Sequence, residues 1–201
     1  MILRHLITTI LVALSASTLP IHAQNELIDN AALQNIMTRC SIRTFENKPV
    51  EDNKVETLLR AGMAAPSSRN MQPWHLVVVK GQEAINKLAD QNPHHGDQIR
   101  QTPLIIYVCG DTARFQPGEA RDYWIEDCSA VSENILLAAH AMGLGAVWTS
   151  VYPSARKVSG IRRNLGLSEA IVPFSMIRIG YPGEPADVKD KWDPEKITYW
   201  K

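Results

Sequence analysis

Residues 122–142, DYWIEDCSAVSENILLAAHAM, constrain this chain more than any other stretch. Val131, Ile135, Ala138, Ala139 and Met142 fall on one helical stripe, and Leu136 and Leu137 widen it. A helix apolar over that much of its girth is central to a fold or lies at an interface. Gly143 is a natural stop for it.

Around this helix the apolar runs are few and well separated. HLVVV (75–79) and PLIIYVCGD (103–111) read as strands buried on both faces. GLGAVWTSVYP (143–153) reads as a turn into a third strand, and IVPFSMIRIGYPGEP (171–185) as a last strand ending in a Tyr-Pro-Gly turn. Helical spacing recurs in NELIDNAALQNIMTR (25–39), in residues 82–90 and in PSARKVSGIRRNLGL (153–167), where Gly166 ends it. In VEDNKVETLLRAGMAA (50–65), Val55, Leu58, Leu59, Gly62 and Met63 predict one buried face, with Glu51 and Asp52 suiting its first turn. The first strand follows two helices, and helices and strands do not alternate regularly. The class is α+β.

The N-terminus reads differently. MILRHLITTILVALSASTLPIHA (1–23) has a basic start, a short apolar run and small residues before a break at Pro20. This is the pattern of a secretory signal peptide cleaved near Ala23, which predicts an exported, periplasmic chain. The run is too short for a stable membrane span, which needs about 20 residues. Residues 24–201 then suit one domain. The formal net charge is zero, with no basic stripe or acidic tail, so nucleic acid and charged membrane surfaces are not the expected partners. The three cysteines, Cys40, Cys109 and Cys128, fit no metal motif and no disulfide framework; Cys109 sits in an apolar run and reads as core. His94 and His95 are adjacent, which in a loop reads as solvated side chains rather than a metal site.

Four polar turns adjoin buried elements. In RCSIRTFENKPV (39–50), Arg39, Ser41 and Arg43 alternate and share a face if extended, which makes an anion site; a solvated basic turn is the plainer alternative. APSSRNMQPW (65–74) puts Ser67, Ser68, Arg69, Asn70 and Gln72 directly before a strand, with Pro66, Pro73 and Trp74 stiffening the turn. GLGAVW (143–148) has glycines that let backbone approach a ligand, though glycine also ends helices. Lys189 and Lys191 lie in the polar tail. No dinucleotide fingerprint, P-loop, His-Glu-x-x-His or Gly-x-Ser-x-Gly motif is present.

In this order, R-x-S-x-R-x-F…PV, APSSRNMQPW, LLAAHAMGLGAVW, IRIGYPGEP and a late basic residue resemble the nitroreductase family of FMN-dependent oxidoreductases over nearly all of the chain from Asn30. The resemblance implies a central mixed sheet flanked by helices, in a homodimer with FMN at the interface. It implies that Arg39, Ser41 and Lys191 hold the phosphate and that Arg43 lies by the pyrimidine edge of the flavin. It implies that Pro66, Ser67, Ser68 and Asn70 reach the partner subunit's flavin, with Gln72 behind them. Trp148, Thr149 and Ser150 run beside the ring, a backbone N–H facing N5. Cys40 stands where many relatives carry a second basic residue, which weakens the clamp, and Lys191 lacks the bidentate fork of an arginine.

The implied reaction is ping-pong. NAD(P)H gives hydride to the flavin, and a nitroaromatic, quinone or similar acceptor then takes the electrons. No catalytic side chain is required. An exported chain meets little NAD(P)H, so another electron donor, a flavin- or ligand-binding protein without turnover, and a same-fold flavoenzyme with another reductive outcome stand as alternatives.

Overall fold

The computed structural model describes residues 30–92 and 95–201. The proposed signal peptide and His94 lie outside the described residues. Six helices and four strands run in the order α1 (Ala31–Thr38), α2 (Asp52–Met63), β1 (Trp74–Lys80), α3 (Gln82–Asp90), α4 (Gly96–Arg100), β2 (Leu104–Asp111), α5 (Tyr123–Ala141), β3 (Gly145–Ser150), α6 (Ala155–Leu165) and β4 (Ile171–Gly180). The sheet order is β1-β2-β4-β3, and all three pairings are antiparallel. The sheet itself is therefore antiparallel rather than mixed; an isolated parallel bridge, Ser41 to Ala146, lies outside the named strands.

β2 explains why the sheet is sandwiched. Its side chains alternate between faces, and neither face meets water. Leu104, Ile106 and Val108 join Val131, Ile135 and Ala139 of α5 and Leu58 of α2 in the main core. Ile105, Tyr107 and Cys109 join Ile85 and Leu88 of α3 and Ile99 of α4 in a second core, with Ile161 and Leu165 of α6 against it. Burial pushes the Cys109 thiol up to about 12 and raises Tyr107 and Cys128 well above their ordinary range, so these are inert core groups. All three cysteines are free. Pro173 cannot donate to the ladder, and the β2–β4 register shifts between Val108 and Cys109, where Pro173 faces Cys109.

Two expectations need correction. HLVVV is not buried on both faces: β1 is an edge strand, His75 is exposed and Val78 is 38% exposed. The apolar run was indistinguishable from a central strand because edge position is a tertiary property. On α2, Val55, Leu58 and Gly62 are buried but Met63 is 52% exposed, since the helix ends there and leaves the core. α1 buries no residue, and Ile36 and Met37 are more than half exposed.

α5 is the element most other parts touch. A Cβ at Gly62 would fall 2.9 Å from Ile135 Cγ1, so the glycine sets the close approach of α2 to α5. The buried hydroxyls of Ser132 and Ser175 meet at 2.9 Å and tie α5 to β4. Gly143 follows the helix with φ +72, as its role of stop requires. Ile135→Ala removes a fully buried side chain from this contact and is expected to cost about 2–5 kcal/mol, read as a lower midpoint in urea denaturation with an unchanged slope.

Candidate functional site

The segment after α1 runs extended along the open edge of β3. Ile42 N–H donates to the Ala146 carbonyl at 3.1 Å. Ile42 points inward, 5% exposed, against Phe45 and Val147, while Ser41 and Arg43 face solvent. The period-two reading of Ser41 and Arg43 holds for this reason: the residue between them is a core anchor. Gly145 serves that anchor, because a Cβ there would lie 2.7 Å from Ile42 Cβ. Of the GLGAVW glycines, Gly143 stops the helix and lines the depression beside Arg39, and Gly145 admits Ile42.

Arg39 is mostly buried. Its Nε lies 3.2 Å from Glu133 Oε1, off the line of a hydrogen bond, and is left without a bonded partner. The ion pair leaves this buried nitrogen without a well-aligned hydrogen bond, which keeps donor capacity for an anion bound from outside. Arg39, Cys40, Ile42, His140 and Ala146 line a depression of about 210 Å³. That is smaller than the roughly 300–1,000 Å³ of sites that bury a whole drug-sized ligand. Cys40 packs on the Ile42 cluster and adds no charge.

β3 offers backbone donors on the same edge. The Ala146 carbonyl faces Ile42, the Ser150 carbonyl accepts from Lys157 Nζ at 3.1 Å, and Val151 N–H turns to Phe174 next to β4's Ser175. Alternation then places the N–H groups of Trp148 and Ser150 on the open edge. Trp148 is fixed edge-on to Phe174, ring centroids 5.7 Å apart. Thr149 is half-buried and Ser150 exposed.

The polar loop before β1 is a strained structure rather than a slack one. Arg69, Asn70 and Gln72 have φ of +52, +56 and +49, the left-handed region that non-glycine residues rarely occupy. Ser67 Oγ accepts the Gln72 N–H at 3.0 Å, and Gln72 Nε2 donates to Asn70 Oδ1 at 3.0 Å. Gln72 thus braces its own loop. Asp127 of α5 accepts the Ser68 N–H at 2.8 Å, and Asp111 N–H donates to the Pro73 carbonyl at 2.7 Å. Pro66 is exposed, and Trp74 packs partly buried on the main core.

The structure divides the sequence-derived residues into two groups. Arg39, Cys40, Ser41, Arg43, Trp148, Thr149 and Ser150 gather on the β3 edge. Pro66, Ser67, Ser68, Asn70 and Gln72 sit at the start of β1, the opposite edge. Three inter-strand steps of about 4.8 Å separate those edges by roughly 14 Å. Lys191 is exposed in the tail and makes no ion pair among the described residues, while Lys189 pairs with Asp187 at 3.6 Å. Among the described residues, no group of His, Cys, Asp and Glu is arranged to hold a metal, and no helix is long and apolar enough to cross a membrane.

Sequence reasoning missed Asp127 and Glu184. Asp127 was visible as an acid three residues after Trp124 and four before Val131, on the buried face of α5. Glu184 stood inside the quoted YPGEP turn.

These features define a class: an α+β protein with an orphaned cationic donor on one sheet edge and a strained polar loop on the other. The chain belongs to the nitroreductase family, whose model matches residues 36–92 and 90–181. A Methanothermobacter thermautotrophicus protein provisionally named an NADH dehydrogenase/NAD(P)H nitroreductase is 39% identical over 178 residues, 88% of this chain and 91% of that protein. A Bacteroides thetaiotaomicron structure with the same provisional name is 44% identical, with a TM-score of 0.77 over 86% of this chain and 98% of the other. A Desulfovibrio desulfuricans structure, provisionally a nitroreductase and solved in complex with FMN, is 30% identical, with a TM-score of 0.72 over 87% and 99% of the two chains.

Burial raises the Asp127 pKa against the lowering effect of the Ser68 N–H. A carboxylate whose folded pKa lies above its unfolded value adds stability below the unfolded pKa, near 3.8, and loses it as pH rises through the folded value. Asp127→Asn is expected to remove that part of the stability loss above pH 4 in pH-dependent denaturation while still accepting from Ser68. Asp127→Ala is expected to speed amide exchange at Ser68 and Asn70.

Proposed function

We propose that this protein is an FMN-dependent NAD(P)H oxidoreductase working as a homodimer, with an FMN in each of two sites shared between subunits. The observation that carries the reading is the division of binding residues between opposite sheet edges. Opposite edges of one sheet face away from each other, whereas a second copy can bring its β1 loop to the first copy's β3 edge. Exposed apolar side chains on α1 (Ile36, Met37) and in the tail (Trp192, Tyr199, Trp200) supply surface for a second copy to cover.

Bound FMN would supply the redox chemistry, taking hydride from NAD(P)H at N5 and passing electrons to a nitroaromatic, quinone or similar acceptor in ping-pong order. The residues present fit it. Arg39, whose Nε makes no aligned hydrogen bond, would join Ser41 and the exposed Lys191 in holding the phosphate. Arg43 would favour negative charge on the ring. The open N–H groups of Trp148 and Ser150 would be available to the ring as donors. Ser67, Ser68 and Asn70 arrive from the partner, with Pro66 and Gln72 shaping the loop. The chain's part is to bind and orient, without a side-chain acid or base.

The deciding experiment is an anaerobic absorption titration of the purified protein with NADH and with NADPH. Flavin bands that bleach support the reading. Bands that stay through both additions would leave a flavin-binding protein with a different donor, and a colourless protein that takes up no added FMN would overturn the reading. Arg39→Ala is expected to weaken FMN binding about ten- to a hundredfold, as loss of a charge-assisted contact does, measured by quenching of FMN fluorescence. Export is part of the proposal and rests on residues 1–23. N-terminal sequencing of protein from the periplasmic fraction is expected to begin at Gln24; a chain that keeps Met1 and stays with the cytoplasmic fraction would remove it.

A further inference from the structure

The Arg43 peptide is held from both sides. Its N–H donates to Glu184 Oε1 at 2.6 Å, and its carbonyl accepts from Arg178 Nη1 at 3.4 Å. Glu184 also takes the Thr44 N–H at 3.2 Å and the Thr44 hydroxyl at 3.1 Å. Gly183 N–H closes the arrangement on the Thr44 carbonyl at 2.9 Å. Arg178 projects from β4, is 6% exposed, and reaches the Gln98 carbonyl at 3.5 Å as well. The two amide donors and the Thr44 hydroxyl hold the Glu184 carboxyl below the usual carboxylate range, so it is ionised at neutral pH.

The choice of partners is informative. A glutamate beside an arginine ordinarily pairs with its guanidinium. Here the carboxylate is engaged by the backbone of Arg43 and Thr44, and Glu184 forms no ion pair within 4 Å among the described residues. The Arg43 side chain stays exposed, its one hydrogen bond a long contact of 3.5 Å from Nη1 to the Ser41 carbonyl. Fixing the peptide removes backbone freedom that binding would otherwise have to remove. Leaving the guanidinium unpaired keeps its charge for a ligand.

We infer that Glu184 and Arg178 are positioning residues that fix the Arg43 backbone and present its guanidinium, with its charge intact, to the flavin ring. The inference rests on the function proposed above and extends it. It also gives the physical reason why R-x-S-x-R and YPGEP, more than a hundred residues apart, occur together.

The test compares Glu184→Ala with Glu184→Gln in the full mature protein. Both variants lose the same charge. Gln still accepts both N–H groups through Oε1 and can donate to the Thr44 hydroxyl, so the pair separates positioning from charge. Three quantities are read: amide exchange at Arg43 and Thr44 without cofactor, the FMN dissociation constant, and the flavin midpoint potential. Glu184→Ala is expected to speed exchange at both amides, to weaken FMN about tenfold, and to give a lower potential than Glu184→Gln, because the cation near the reduced ring is no longer held. Glu184→Gln should stay close to wild type in exchange and affinity. Thr44→Val, which removes the hydroxyl contact alone, should move affinity in the same direction by less.

Wild-type protein that takes up no FMN would overturn the proposed function, and this inference with it. Wild-type protein that binds FMN, with Glu184→Ala matching Glu184→Gln in affinity and potential, would overturn the inference alone. So would faster exchange in Glu184→Ala with the potential of Glu184→Gln, since that is the signature of a tether for the 181–184 turn and nothing more.

Discussion

The packing of α5 against the sheet and α2 is the contact on which the other parts depend. Val131, Ile135 and Ala139 fill the space over β2 and β4, Gly62 lets α2 come close, and the Ser132–Ser175 pair fixes the depth. From this helix Asp127 reaches the loop before β1, Glu133 reaches Arg39, and His140 meets the Thr38 hydroxyl at the end of α1. A shift of α5 would therefore disturb both sheet edges together. That is how a rigid core can govern polar segments that share no contact with one another.

Carboxylates recur as backbone anchors. Asp127 holds Ser68 of the polar loop before β1, and Glu184 holds Arg43 and Thr44 of the extended segment beside β3. Each satisfies N–H groups that an irregular segment would leave without a sheet or helix partner. In neither case is the acid joined to the cationic side chains of the site. The proposed cofactor carries a phosphate and gains negative charge on reduction, so the exposed Arg43 guanidinium, which neither of these acids pairs with, suits it.

Much of the fold was legible in the sequence because local pattern and burial agree. The stripe on α5, the apolar run of β2 and the left-handed stop at Gly166 each follow from side-chain periodicity or from one residue's conformational freedom. HLVVV shows where this fails: β-branched composition fits a pleated surface, and it cannot report whether a neighbouring strand lies on both sides. Gly145 is a second case. A Gly-Leu-Gly turn permits close approach, and only the fold shows that Ile42 is what approaches.

The sequence by itself determined the α+β class and, after Asn30, the strands and every helix but the short α4, since these depend on short-range periodicity and residue type. Tertiary structure alone decided how the polar turns are grouped. It set Arg39, Ser41, Arg43 and Trp148 to Ser150 on one edge and Ser67 to Gln72 on the other, because strand order is fixed by packing between elements distant in the chain. It also chose the anchors. A glutamate in a Tyr-Pro-Gly turn has many possible partners until the fold brings residue 184 beside residue 43, where its carboxylate accepts the Arg43 and Thr44 amides.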